Sequence, residues 1–264
     1  MNLGLFYQSG YRYVAAYHAL NQFRKFYSNA PVAMYEDNSD ILKPIAKMFN
    51  CTYSKTINGG FNDINSGRPA FSLQTTLAWF DRVYEACNTT LSDCEWVINF
   101  EDDVWFLREV IKKPQFDLSG IGGVGLNKEL LIHLGVRENE GVYGCGGSVF
   151  NRKKFLEVYK NLKTVDWDTI IQLDRRPSEW TDCALTFAFM YSKFTVGSWE
   201  DANQYRHSNI PHMGDRAGWP GSIESLEKEQ INIAVVHCWK PFYYPTEEEI
   251  LWVNNKIKLY DIKK

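Results

Sequence analysis

Trp96-Val97-Ile98-Asn99-Phe100-Glu101-Asp102-Asp103-Val104 sets an apolar run directly against three adjacent carboxylates. A short apolar run rich in β-branched and aromatic residues reads as a strand buried on both faces, as in a parallel sheet covered by helices. Open α/β sheets bind ligands at the carboxyl ends of their strands, so acid placed there marks a candidate site. No Lys or Arg occurs between this run and Arg108, so the three carboxylates repel one another unless a cation sits among them. Oxygen donors of this hardness suit Mg²⁺ or Mn²⁺, which keep open positions for phosphate oxygens. In a strand Glu101 and Asp103 share a face and Asp102 takes the other, which splits their roles. The competing reading is an acidic strand-to-loop junction with no ligand.

Upstream of this run the chain alternates strand and helix. Leu3 to Tyr7 is apolar, a helix is expected from about Val14 to Tyr27, and Pro31 to Tyr35 reads as the next strand. This is the βαβ opening of a parallel sheet. Val14, Tyr17, Leu20 and Phe23 recur every third residue, and Arg24 and Lys25 fall in the last turn, where cations suit the helix dipole. A second helix from about Asp40 to Phe49, a strand near Thr52 to Lys55 and a long helix from about Ala70 to Ala86 lead to the acidic strand. The stretch from Asn58 to Asp63 is a loop by composition. After Phe106 glycines cluster and the alternation ends. Helices are expected over Arg152 to Leu162 and Asp182 to Tyr191, and Thr246-x-x-Glu249 is a capping box opening a last helix to about Lys258. With no linker or internal repeat, one domain over residues 1–264 is expected: a nucleotide-binding half to about 106, then a less regular acceptor half from about 107.

At 45% apolar and 23% charged residues, the composition is that of a globular chain, which excludes disorder and a coiled coil. A net charge of -3 lacks the basic footprint of a duplex-binding protein, so no nucleic acid partner is expected. No run approaches the roughly 18 apolar residues of a membrane span, and no signal segment opens the chain, so a soluble, cytoplasmic protein is expected. The six cysteines form no Cys-x-x-Cys pair and read as buried, reduced thiols.

The βαβ start, the acidic strand end near residue 100 and the late Val235-Val236-His237-Cys238-Trp239-Lys240-Pro241 segment together resemble the GT-A-fold glycosyltransferases. The resemblance covers most of the chain in the order of elements, but only short motifs in residues. It implies an α/β domain with a mostly parallel central sheet flanked by helices. It also implies sugar transfer from a nucleoside diphosphate sugar, UDP-sugar favoured, to a hydroxyl on a glycan or glycoprotein, with Mn²⁺ or Mg²⁺. Glu101-Asp102-Asp103 matches the family's Glu-Asp-Asp form of the acidic motif. The resemblance makes Asp103 the metal ligand, with Glu101 on the same face and Asp102 toward the ribose or a metal-bound water. His237 would complete the metal site and Lys240 would meet the diphosphate; a buried structural histidine is the rival reading. Showing no anchor or stem, the sequence is likened to bacterial or viral members, including those that large DNA viruses encode for capsid glycans.

The same resemblance assigns Asp37, in Tyr35-Glu36-Asp37-Asn38-Ser39-Asp40, to the nucleoside base, with Tyr7 stacking on the ring and Asp40 left to cap the next helix. Arg68, just before Pro69, would reach the ribose or diphosphate. Inverting members carry an acid where Pro177-Ser178-Glu179-Trp180-Thr181-Asp182 opens a helix, which makes Asp182 the candidate base and Glu179 the second choice. Any acid in a first helical turn is also favoured by the dipole, so the structural reading stands beside the catalytic one. Gly146 and Gly147 would line the donor sugar or serve a tight turn, and Trp219 sits in a glycine-punctuated stretch read as a closing lid or a plain surface loop. A retaining enzyme of the same fold, or a non-catalytic nucleotide-sugar or carbohydrate-binding protein, is the alternative. A sugar-nucleotide pyrophosphorylase would need a basic Gly-rich loop after the first strand, which Gln8-Ser9-Gly10-Tyr11-Arg12 does not supply, and an aspartyl phosphatase would need acid on that strand.

Overall fold

All five residues of β4 (Trp96–Phe100) are buried, which is why the strand shows no polar alternation. The computed structural model describes residues 1–10, 12–37, 39–56, 72–121, 125–136, 143–205, 232–238 and 245–262. Among them, β4 lies inside a seven-stranded sheet with β1 (Leu3–Ser9), β2 (Val32–Asp37), β3 (Thr52–Thr56), β6 (Leu118–Gly120), β7 (Val149–Asn151) and β8 (Val196–Ser198), in the order β3-β2-β1-β4-β7-β6-β8. Strands β3, β2, β1 and β4 run parallel, β7 is antiparallel to both its neighbours, and β8 is parallel to β6. The mostly parallel α/β sheet flanked by helices is the fold class expected from sequence. Strand order reverses direction between β1 and β4, and a crevice opens beyond the strand ends at such a switch point.

Each sheet face carries its own core. On one face Phe6, Val97 and Phe150 pack with Trp79 and Phe80 of α3 (Leu73–Asn88), Phe155 of α5 (Arg152–Leu162) and Phe187 and Phe189 of α7 (Thr181–Tyr191). On the other, Leu5, Tyr7, Ile98 and Phe100 meet Val14, Leu20 and Phe23 of α1 (Tyr13–Phe26) and Ile45 of α2 (Lys43–Met48). Val253 of a C-terminal helix, Glu247–Ile262, also belongs to this second core. From Cys183 to Met190 every residue of α7 is buried, a helix apolar all round because it is covered all round. Short helices α4 (Lys128–His133) and α6 (Trp167–Leu173) complete the first layer, and the C-terminal helix is α8 in chain order. Among the described residues no helix is long and apolar enough to cross a membrane.

Local chemistry explains the element ends. Helix α5 has the limits expected from sequence, capped by Asn151 accepting from the Lys154 amide at 3.1 Å. The Thr246 and Glu249 capping box is present in both directions, at 2.8 and 3.2 Å. The Arg24 guanidinium donates to the carbonyls of Tyr27, Ala30, Phe49 and Asn50, tying the end of α1 to the turn after α2. Asp40 does not cap α2, contrary to expectation; it pairs with Lys55 at 2.7 Å. The fully buried Glu36 takes that role by accepting from the amides of Ile41 and Leu42 at 2.9 and 3.1 Å, because its carboxylate lies inside the turn that Asp40 faces out of. Cys51, Cys87, Cys94, Cys145 and Cys183 are free thiols, all but Cys51 buried.

A second, three-stranded sheet sits beyond the end of β4: β5 (Val104–Phe106), β10 (Val235–Cys238) and β9 (Ala202–Tyr205), with β10 in the middle. Asp201, with no exposed surface, ties it down. Its carboxylate accepts from Arg108 Nη2 and from the amides of Ile111 and Lys112, each at 2.7 Å. Its carbonyl accepts from the amides of Ala234 and Val235 at 2.9 and 2.8 Å, where β10 starts. Replacing Asp201 by Ala takes the carboxylate from the Arg108 guanidinium and the acceptor from two amides, so Asp201→Ala is expected to lower the unfolding free energy by about 3 kcal/mol in urea denaturation. A loss below about 1 kcal/mol, the worth of one ordinary hydrogen bond, would show that the clasp carries no such weight.

Candidate active site at the end of β4

β4 stops at Phe100 because the chain turns at once: the Val104 amide donates to the Glu101 carbonyl at 3.1 Å, and β5 leaves antiparallel to β10. That register sets His237 opposite Val104, next to Asp103. His237 Nε2 lies 3.3 Å from Asp103 Oδ1. One ligand atom each from Glu101, Asp103 and His237 fall within 4.8 Å of one another. His237 Nδ1 is buried with no hydrogen-bond partner among the described residues. Two carboxylates and an imidazole, drawn from two distant segments into one buried corner, form a donor set that fits a divalent cation of the Mn²⁺ or Mg²⁺ kind.

Electrostatics at this corner are those of crowded like charge. Burial, then the neighbouring Asp103 and Asp182, raise the Glu101 carboxyl to about 8, with His237 opposing. Burial raises Asp102 to about 6, while hydrogen bonds from Tyr7 and Ser9 pull the other way. Burial would lower the His237 imidazole, but the attraction of Asp103, its hydrogen bond and the further charges of Glu101 and Asp182 outweigh it and raise His237 to about 9. Asp182 is raised by burial and by Asp103, against His237. Asp182 therefore lies within the field of the same cluster, carried there by the first turn of α7.

The end of β1 supports Asp102. The Tyr7 hydroxyl donates to one carboxylate oxygen and Ser9 Oγ donates to the other at 2.9 Å. Tyr7 has no exposed surface and meets Phe100 edge to face. Tyr7 projects to the α1 side of the sheet, with its hydroxyl on Asp102. Asp37 ends β2, beside β1, and is also buried; Gln8 Nε2 donates to both its oxygens at 3.1 and 3.2 Å, and Arg82 Nε donates to Gln8 Oε1 at 3.0 Å. Glu179 faces Arg175 at 3.2 Å, an i,i+4 pair at the turn before α7.

The glycines lie against the protein itself. A Cβ on Gly146 would lie 2.9 Å from Glu101 Oε2, and one on Gly147, at φ +86°, would lie 3.2 Å from Val235 Cγ1. The direction in which their side chains would project is filled by the acidic corner and by β10. Sequence reasoning missed Gln8, Ser9 and Arg82. The readable signal was a polar Gln-Ser pair at the end of a buried strand, hidden because β1 runs two residues past Tyr7. Arg68, Trp219 and Lys240 lie outside the described residues.

No protein-family model matches the sequence, and no curated protein matches it. Solved structures do match. One is a galactosyltransferase, LgtC, in complex with donor and acceptor sugar analogues, at 14% identity and a TM-score of 0.50, covering 90% of this chain and 87% of that one. Another is WbbM, a bifunctional glycosyltransferase in its apo form, at 12% identity and a TM-score of 0.50, covering 93% of this chain but only 46% of that longer one. The chain has the fold of these glycosyltransferases. At such identities the likeness is one of fold; in this chain the acidic corner follows the carboxyl end of β4.

The raised groups fix a pH dependence. Glu101 rises from 4.5 to about 8 and His237 from 6.5 to about 9, so the metal-free folded state binds more protons than the unfolded chain between these limits. The stability contributed by each is full below its unfolded value and is lost as pH rises through its folded value. Metal-free protein is therefore expected to lose stability from about pH 5 to pH 9 in urea titrations, and Glu101→Gln to flatten the acid half of that decline. A midpoint that rises over this range would contradict the arrangement.

Proposed function

We propose that this chain is a metal-dependent glycosyltransferase, moving a sugar from a nucleoside diphosphate sugar, UDP-sugar favoured, to a hydroxyl of a glycan or glycoprotein acceptor. The observation that carries this reading is the gathering of Glu101, Asp103 and His237 within 4.8 Å at the end of β4, in a sheet with the fold of glycosyltransferases. A divalent cation held there would offset the charge of the departing diphosphate. Glu101, Asp103 and His237 would hold that cation. Asp102, fixed by Tyr7 and Ser9, would face the ribose. Asp37 with Gln8 would meet the base, Arg68 and Lys240 the diphosphate, and Trp219 would help exclude water from the bound donor.

Asp182 is the group proposed to remove the proton from the acceptor hydroxyl, which would invert the anomeric centre. Burial raises its carboxyl in the direction a base working near neutral pH requires. A second reading has support of its own: Asp182 sits in the field of Asp103 and His237, and a carboxylate committed to the cation corner leaves a retaining route open.

Thermal unfolding with UDP, GDP and other nucleoside diphosphates, each with and without Mn²⁺, tests the donor class. Ligand at 100 times its dissociation constant adds about 2.7 kcal/mol, a rise of several degrees in a chain of this size. A shift for one nucleotide only with metal is expected, and Asp103→Ala should abolish it. Persistence of the Mn²⁺-dependent shift in Asp103→Ala would remove Asp103 from the site. Asp182→Asn should keep the shift and lose transfer; transfer at the unaltered rate would favour the retaining route.

A further inference from the structure

We propose that Gly146 is a positioning residue whose missing side chain forms the seat that holds the Glu101 carboxylate beside Asp103 and His237. The proposal rests on the cation reading above and changes the expected role of Gly146 from lining a sugar to shaping the ligand set. A Cβ built on Gly146 would approach Glu101 Oε2 to 2.9 Å, Glu101 Cδ to 3.0 Å and Val104 Cγ2 to 3.2 Å. Non-bonded carbon and oxygen atoms in a packed interior do not tolerate the shorter distances, so one party must move.

The loop is the party that cannot. Gly147 donates from its amide to the Asn99 carbonyl at 2.8 Å, and Asn99 Nδ2 donates to the Gly144 carbonyl at 3.2 Å, fastening the loop to β4. On its other side the amides of Tyr143 and Gly144 donate to Thr186 Oγ1 at 3.0 and 3.1 Å, fastening it to α7. Retreat toward α7 is closed, since even a Cβ on Gly144 would stand 2.5 Å from the Asp182 carbonyl oxygen. Val104 is also fixed, fully buried and paired with His237 across the β5 and β10 ladder. The Glu101 carboxylate, at the tip of a side chain with rotatable bonds, is the group that yields. It would yield away from Gly146, and so out of the corner it shares with Asp103 and His237. The seat thus selects, by shape alone, the conformer in which Glu101 can serve as a ligand.

A double-mutant cycle tests this directly, because positions that act through one contact fail to add. Gly146→Ala is expected to weaken Mn²⁺ binding, measured by calorimetry on the full chain, by tenfold or more, the range for groups that orient ligands. In a Glu101→Asp background, whose shorter side chain vacates the seat, the same substitution should change Mn²⁺ affinity less than twofold. An equal loss in both backgrounds would overturn the proposal. Melting of the metal-free chain gives an independent arm: Gly146→Ala should lower Tm, and Glu101→Ala should cancel that drop. If the unaltered chain binds no Mn²⁺, the cation reading fails by itself, while additive melting losses sink the seat whether or not metal binds. Should Gly146→Ala fold only when combined with Glu101→Ala, the seat is supported; if neither folds, the loop rather than Glu101 is the obstacle and the proposal is wrong.

Discussion

The pairing of Asp103 with His237 across the gap between β4 and β10 is the interaction on which the site depends. Carboxylates taken out of water at a strand end raise one another's proton affinity, and an imidazole 3.3 Å from Asp103 opposes this. An imidazole is a partner that can also become a ligand: losing its proton leaves a neutral donor nitrogen, whereas a guanidinium offers none. Were a cation bound as proposed, it would displace the protons held there, the coupling expected of a metal centre built from protein side chains.

Everything around that pair serves to aim it. The topology brings β1 against β4, so Tyr7 and Ser9 reach Asp102 from the neighbouring strand and hold the middle carboxylate apart from its two companions. The small sheet supplies His237 in a fixed register with Val104, and Asp201, through its carboxylate and its carbonyl, ties the start of β10 to the loop after β5. On the far side α7 brings Asp182, and Gly146 of the loop between them lies against Glu101 with no side chain to displace it. Segments distant in sequence thus converge around Glu101, Asp103 and His237.

Much of the scaffold was legible because it follows from short-range rules. The apolar run ahead of Glu101 could only be a doubly covered strand, and the limits of α5 and the capping box at Thr246 and Glu249 follow from hydrogen bonds made within one turn. Where the reading went astray, the deciding partner was remote or the direction of a side chain was at stake. Asp40 looked like a cap, but Glu36, pointing back into the turn, reached the amides first. Strand pleating sends Tyr7 into the α1 core with its hydroxyl on Asp102, a contact that no local pattern displays. Nor could the sequence show that the space beside Gly146 and Gly147 where side chains would stand holds Glu101 and Val235.

The sequence by itself determined the α/β class, the buried strand with acid at its end, the segment that delivers His237, and the helix limits set by local caps. These depend on periodicity and on contacts a few residues apart, which a linear chain displays. Tertiary structure alone decided that β10 lies beside β5, that Gln8 and Ser9 belong with Asp37 and Asp102, and that Gly146 faces Glu101. Those relations arise from strand order and register across separations of tens to more than a hundred residues, where no local preference chooses a partner and only the packing of two cores against one sheet does.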